Sequence, residues 1–233
     1  MDLAILSFEG VMFLFRWVHF LAGITWIGLL YYFNFVQGPF FNETDAATKS
    51  NAIQKLVPRA LWWFRWTAMF TFFSGWIILG LKGHTAGMEI YSTSWGIAIL
   101  TGATLGTLMW ANVWFVIWPN QKVVIQSATQ AAQGGSALPQ AAGCGARAGI
   151  ASRHNVLFSV PMLFFMGAAS HLPIDVSAGA HVCALVVVFG LIFAALELNT
   201  LKGKLGLLTT IQGVITSGIV LTLALYGLME WFL

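Results

Sequence analysis

The chain has 233 residues, of which 58% are hydrophobic and 8% charged, with 11 Trp and 19 Phe. Soluble domains carry about 25% charged residues, so this composition excludes an ordinary soluble enzyme and describes an integral membrane protein. The net charge of +3 gives no argument for a nucleic-acid partner; the placement of the basic residues explains it as membrane topology.

A helix that spans the bilayer needs about 20 apolar residues. Six runs qualify, roughly 11–36, 60–81, 94–118, 153–172, 178–198 and 206–230. No segment alternates as a barrel strand would. The expected fold is therefore all-α: one polytopic membrane domain of about six transmembrane helices in the lipid bilayer. The N-terminal MDLAILSFEG lacks the basic region of a signal peptide, so the first run is expected to act as the insertion signal itself.

Between the first two runs, residues 37–59 read as a polar loop with Glu43, Asp45, Lys49 and Lys55. Residues 119–152, rich in Ala, Gly, Gln and Ser, read as a flexible cytoplasmic loop. The turn LPID at 172–175 is short, so the fourth and fifth spans are expected to be antiparallel neighbours. With six spans, the first, third and fifth loops share a side and hold Lys49, Lys55, Arg59, Lys122, Arg147, Lys202 and Lys204, against Lys82 alone opposite. The positive-inside rule then places both termini outside. Cys144 and Cys183 fall in no CxxC or CxxCH pattern and are expected on opposite sides of the membrane, without a disulfide.

The first span contains RWVHFLAGITWIG, residues 16–28. An arginine at mid-helix costs about 2.5–3.5 kcal/mol on insertion scales, so Arg16 and His19 need a reason to be there. On the expected topology His19, His84, His171 and His181 lie in the outer half, with His84 in the loop after the second span, and only His154 lies inward. Imidazole is a ligand for haem iron, copper and zinc. One reading is a single b-type haem held by His19 and His171. Gly23 and Gly167, each one turn deeper than its histidine, would make room for the macrocycle, and Arg16 would meet a propionate. A second is copper at His19, His171, His181 and His84. The bland reading is that the glycines serve helix packing and Arg16 reaches the headgroups. Asn34, Asn112, Arg153, Asn155 and Glu197 are further polar residues within or beside the apolar runs. They form either an inward-side polar cluster or isolated links between helices.

RWVHFLAGITWIGLLYYFNFVQGPFF (16–41), PRALWWFRW (58–66), NVWFVIWPNQ (112–121) and SRHNVLFSVPMLFFMGAASHLP (152–173) resemble the membrane domain of the bacterial cytochrome-c-type urate oxidase family, over about residues 10–230. The first helix has a weaker likeness to other haem- or copper-linked membrane families that carry a histidine followed by Trp-x-Gly. The urate oxidase resemblance implies a bacterial inner-membrane protein linked to oxidation of urate to 5-hydroxyisourate. Electrons would pass to a cytochrome c domain that commonly follows the membrane domain. Here Leu233 comes straight after the sixth run and no CxxCH is present. The expectation is then a haem b electron-transfer subunit that works with a separate cytochrome c-type partner, or inside a larger membrane complex, on the outer face. The alternative is a structural accessory subunit with no redox role. Within the matching motifs the resemblance points to His19 and His171.

The orientation is testable directly. A C-terminal fusion to a reporter active only in the cytoplasm should be silent; a bright reporter would reverse the orientation or change the helix count.

Overall fold

The structure, a computed structural model, describes residues 3–172, 174–177 and 180–233. Pro173 of the expected 172–175 turn and the first two residues of the expected 178–198 span lie outside them. No strand occurs among the described residues. The main helices are α1 (Phe8–Tyr31), α2 (Gly38–Glu43), α3 (Ala46–Lys55), α4 (Val57–Ala86), α5 (Ser94–Ala111), α6 (Trp118–Ala132), α7 (Ala141–His171), α8 (Val182–Lys202) and α9 (Ile211–Phe232).

Two of the junctions are π-helical. Tyr32–Gln37 joins α1 to α2, and Asn112–Ile117 joins α5 to α6. A proline follows each, Pro39 and Pro119. Proline has no N–H and its ring clashes with the carbonyl four residues back, here those of Phe35 and Phe115. The helix widens instead of breaking, and the Gly38 N–H reaches Phe33 O while the Trp118 N–H reaches Val113 O, each five residues back. The chain therefore continues helical from Phe8 to Glu43 and from Ser94 to Ala132. This corrects two expectations. The polar loop at 37–59 contains α2 and α3, with Asp45 capping α3 by accepting from the N–H groups of Ala47 and Thr48. The flexible loop expected over 119–152 shrinks to 133–140, because α6 and α7 run on as helices beyond the apolar stretch. Composition rich in Ala and Gln is compatible with helix, and Ser127 Oγ accepts the Leu138 N–H, tying the short connection back to α6. His84, expected in a loop, lies in the last turn of α4.

Five helices are long and apolar enough to cross a membrane: Phe8–Glu43, Val57–Ala86, Ser94–Ala132, Val182–Lys202 and Ile211–Phe232. Their outward faces carry Phe20, Ile24, Phe70, Phe73, Leu191 and Leu223, all exposed. The sixth expected span is the C-terminal part of α7. It is less apolar because it is the central helix, packed against α1, α5, α6, α8 and α9. His154 to Ser159 are all buried. Over these turns the neighbouring helices shield α7, so it has less need of an apolar outer face; Leu163 and Gly167 further along are exposed.

The helices alternate in direction. His19 of α1 meets Ser74 of α4, and Asn34, further along, meets Ser152 near the start of α7. At the far end of the bundle the Ser177 and His181 N–H groups donate to Leu233 O and Phe232 O, both at 2.8 Å, and Ile174 N–H donates to Ser94 Oγ. The start of α1 and the C-terminal Leu233 therefore lie at the same end, while the connections 38–56, 133–140 and 203–210 lie at the other. Both cysteines are free.

Small residues allow the closest crossings, since lipid offers no hydrophobic gain on helix association and packing has to supply it. A Cβ at Gly218 of α9 would sit 2.7 Å from Val160 Cγ2 of α7, and one at Gly102 of α5 would sit 3.2 Å from the Met162 carbonyl oxygen. Gly227, on the same helix as Gly218, has nothing within 4 Å. Gly218→Leu should therefore destabilise the bundle by about 1–3 kcal/mol, the usual cost of overpacking, while Gly227→Leu should be near neutral. Unfolding curves in mixed micelles measure both; equal midpoints would mean that the α7–α9 crossing is not close.

Candidate functional site

A cavity opens between the helices toward each end of the bundle. The first, of about 730 Å³, lies between α1, α4, α5 and α7. Arg16, His19 and Gly23 of α1 line it, with Thr71, Gly75 and Lys82 of α4. Its volume falls within the roughly 300–1,000 Å³ usual for small-molecule and cofactor sites.

The orientation of His19 follows from its neighbours. Ser74 Oγ donates its one proton to the Phe70 carbonyl at 2.6 Å, an i−4 bond inside α4. Its lone pairs are then what faces His19 Nδ1, 3.1 Å away. Nδ1 must carry the proton and donate, so Nε2 keeps its lone pair, and Nε2 makes no hydrogen bond among the described residues. Gly75 gives the ring its place: a Cβ there would sit 3.0 Å from His19 Cε1 and 3.4 Å from Nδ1. An imidazole whose Nδ1–H is fixed by an acceptor while Nε2 is free is the arrangement of metal-binding histidines.

Other parts of the cavity suit an occupant with acceptor groups and negative charge. Trp26 is only 2% exposed, lines the cavity, and its Nε1–H has no partner. Lys82 Nζ lies 5.9 Å from the Trp95 ring centre, and it and Arg16 supply two positive charges. Met162 and Met166 of α7 line the opposite wall.

The remaining sequence candidates are distributed differently. Gly23 faces open cavity, with only Thr71 Cγ2 at 3.8 Å from a Cβ placed there. Gly167 and His171 are exposed and do not line this cavity, and nothing lies within 4 Å of a Cβ at Gly167. His84 and His181 are also exposed. Among the described residues no three His, Cys, Asp or Glu side chains gather as a metal site, so the four outer histidines are not brought together as a copper centre. Sequence reasoning missed Ser74, Gly75, Trp26, Met162 and Met166. The pair Ser74–Gly75 inside FTFFSGW was a visible signal, because a hydroxyl and a missing side chain interrupt an aromatic run. The others look like ordinary apolar residues until α1, α4 and α7 are packed together.

A second group of polar residues fills the interior. Asn112 Nδ2 donates to Asn155 Oδ1 at 3.1 Å and to Glu197 Oε2 at 3.2 Å, and Asn155 Nδ2 donates to the Met109 carbonyl at 2.9 Å. His154 Nδ1–H donates to the Ile150 carbonyl and Nε2 accepts from Asn199 Nδ2, both at 2.9 Å. Both of its ring nitrogens are thus committed to helix contacts. The cluster expected on the inward side exists for Asn112, Asn155 and Glu197. Asn34 joins Ser152 instead, at 2.8 Å.

This fold is an all-helical bundle in which five helices have the length and apolarity to cross a membrane, around a cavity lined by His19. Residues 84–224, more than half of the chain, match the family described as urate oxidase N-terminal, and the chain belongs to that family. The matched region covers α5 to α8 and part of α9; α1, with His19, precedes it. No curated protein and no solved structure matches the chain.

Asn155 is the residue on which the interior network turns. Asn155→Leu leaves the Met109 carbonyl without its side-chain donor and one Asn112 bond unmade, and should cost about 1–3 kcal/mol. Adding Asn112→Leu should cost less than the sum of the single changes, because the partners are removed together. Strict additivity in detergent unfolding would show that the two amides act independently.

Proposed function

We propose that this chain is a membrane-embedded haem b electron-transfer subunit of the urate-oxidising type. In this reading it resides in a bacterial inner membrane with both termini outside and passes electrons to a cytochrome c-type partner at its outer end. The observation that carries the reading is the state of His19: Nδ1–H held by Ser74, ring seated on Gly75, and a free Nε2 in a cavity of about 730 Å³. Bound haem would supply a one-electron carrier within reach of the outer surface.

The chain's own residues have definable parts. Ser74 holds the tautomer in which Nε2 can ligate. Gly23 and Gly75 keep the space beside the imidazole free of side chains. Arg16 and Lys82 are suited to carboxylate groups at the mouth, which would also account for an arginine in an apolar helix. Ile27, Phe72 and Leu79 give the cavity apolar walls. Across the cavity, α7 would offer a second ligand only through the thioethers of Met162 or Met166, unless its end moves to bring His171 in. Met162 and Met166 line the cavity, and His171 ends the same helix.

A reduced-minus-oxidised spectrum of the purified chain tests the reading. It should show a b-type haem that His19→Ala removes. Ser74→Ala should lower occupancy without abolishing it, since the ligand stays but its orientation is lost. Loss of low-spin character in His171→Ala would assign a bis-histidine pair, and the same loss in Met166→Leu would assign a thioether ligand. A well-folded chain with no haem spectrum, or an unchanged spectrum in His19→Ala, would defeat the proposal in favour of a structural, non-redox subunit.

A further inference from the structure

The other cavity, of about 660 Å³, lies toward the end of the bundle that carries the connections 38–56, 133–140 and 203–210. Its floor is buried, with Asn34 of the π-helical turn Tyr32–Gln37 beside Leu61 and Phe64 of α4. Its mouth is bordered by exposed residues, Gly149 of α7 and Lys204, Gly206 and Thr209 of the connection between α8 and α9. Arg153 and Lys204 bring two positive charges, and among the described residues no Asp or Glu lines the cavity. Arg153 Nη1 and Gln37 Oε1 are both buried, and neither has a hydrogen-bond partner among the described residues. Leaving a buried polar atom unpaired is costly, more so when it is charged, and two in one cavity call for an occupant.

The hydrogen-bonding pattern defines what that occupant must offer. Asn34 spends its Nδ2 on the Leu30 carbonyl and on Ser152 Oγ, at 2.9 and 2.8 Å. Its Oδ1 is left as an acceptor, and the Ser152 hydroxyl proton is left to donate. The cavity thus presents donors at Arg153, Ser152 and Lys204 and acceptors at Asn34 and Gln37. A bare oxyanion satisfies the donors and leaves the acceptors unpaired. A phosphodiester that also carries hydroxyl groups satisfies both sets at once. A choline headgroup brings no N–H or O–H to the acceptors, and an ethanolamine headgroup brings an ammonium toward two cations.

The setting makes a lipid the source of that phosphodiester. Lys49, Lys55, Arg59, Arg147 and Lys202 lie at the same end of the bundle, against Glu43 and Asp45. Basic pockets between membrane helices recognise anionic headgroups in this way. Leu207, which follows Gly206 at the mouth, is 80% exposed, so an acyl chain has an apolar contact beside the opening.

We propose that this cavity binds the headgroup of an anionic phospholipid whose phosphodiester carries free hydroxyls, the chemistry of phosphatidylglycerol. Arg153 and Ser152 donate to the phosphate oxygens, and Lys204 adds its charge at the mouth. The headgroup hydroxyls donate to Asn34 Oδ1 and Gln37 Oε1. The Phe33 and Phe64 rings, edge to face at 5.4 Å, wall the headgroup carbons. Pro39 makes the site possible, because the π-helical turn before it carries both amides. The site is separate from the His19 cavity and does not depend on any cofactor there.

Lipid titration of the delipidated full chain in neutral detergent, read by native mass spectrometry, tests this with three lipids of identical acyl chains. Phosphatidylglycerol has the charge and the hydroxyls, phosphatidylmethanol has the charge alone, and phosphatidylcholine has neither net charge nor hydroxyls. Phosphatidylglycerol should bind about tenfold or more tighter than phosphatidylcholine and about threefold or more tighter than phosphatidylmethanol. Arg153→Gln should erase the first preference and Gln37→Leu the second; either variant suffices if the other does not fold. Lys55→Gln, exposed at the same end but outside the cavity, should change neither. Equal binding of phosphatidylglycerol and either control, an unchanged preference in a folded cavity variant, or an equal loss in Lys55→Gln would overturn the proposal. Displacement of phosphatidylglycerol by an equal concentration of water-soluble glycerophosphoglycerol would also overturn it and identify a soluble phosphodiester as the ligand.

Discussion

The structure depends on one constraint: the middle turns of the central helix α7, His154 to Ser159, are buried, so the polar groups there must find their partners within the protein. Ser152 meets Asn34, His154 meets Asn199, Asn155 meets Asn112 and the Met109 carbonyl, and Ser159 meets the Tyr31 hydroxyl at 2.9 Å. These bonds reach α1, both π-helical junctions, α5 and α8. They fix how far each helix is slid along α7, which apolar packing alone specifies weakly in lipid because one greasy register resembles the next. Arg153 is the exception in the series, and it borders a cavity.

The prolines at 39 and 119 act on the same constraint from the other side. Each sits where a long helix leaves the apolar zone, and each is preceded by a widened turn that begins with or contains a buried asparagine, Asn34 or Asn112. A widened turn shifts the faces of a helix relative to the regular spacing. The amide that would otherwise follow the 3.6-residue periodicity is turned into the bundle, against α7. In each case the amide in the widened turn meets a partner on α7, Ser152 for Asn34 and Asn155 for Asn112.

The two cavities differ in chemistry because the two ends of the bundle differ in composition. The one near the start of α1 is walled by aromatic rings and methionines and has one oriented imidazole. The one near the first turn of α4 is rich in amides and has an unpaired guanidinium. The buried Asn112–Asn155–Glu197 network lies within the same bundle and is fully occupied with helix-to-helix bonds on its amide nitrogens.

The sequence by itself determined the class of fold. Each of the six apolar runs falls on a long helix, in chain order; α7 and α8 pack against each other as expected of neighbours, although the connection between them runs from 172 to 181 and not only over 172–175. It also singled out Arg16 and His19, because ionisable residues stand out against an apolar background, and Asn34, Asn112, Asn155 and Glu197 for the same reason. It overestimated the loop at 119–152, where hydropathy falls but helix propensity does not. What only the tertiary structure decided was pairing. Ser74 and Gly75 matter because α4 lies against α1 at His19. Gly167 and His171 stand outside the cavity because α7 presents Met162 and Met166 to it instead. Arg153 and His154 are adjacent in sequence, yet one is unpartnered and the other has both nitrogens bonded, a difference of about 100° in direction around an α-helix. Periodicity says which residues share a face; only the packed neighbours say what that face meets.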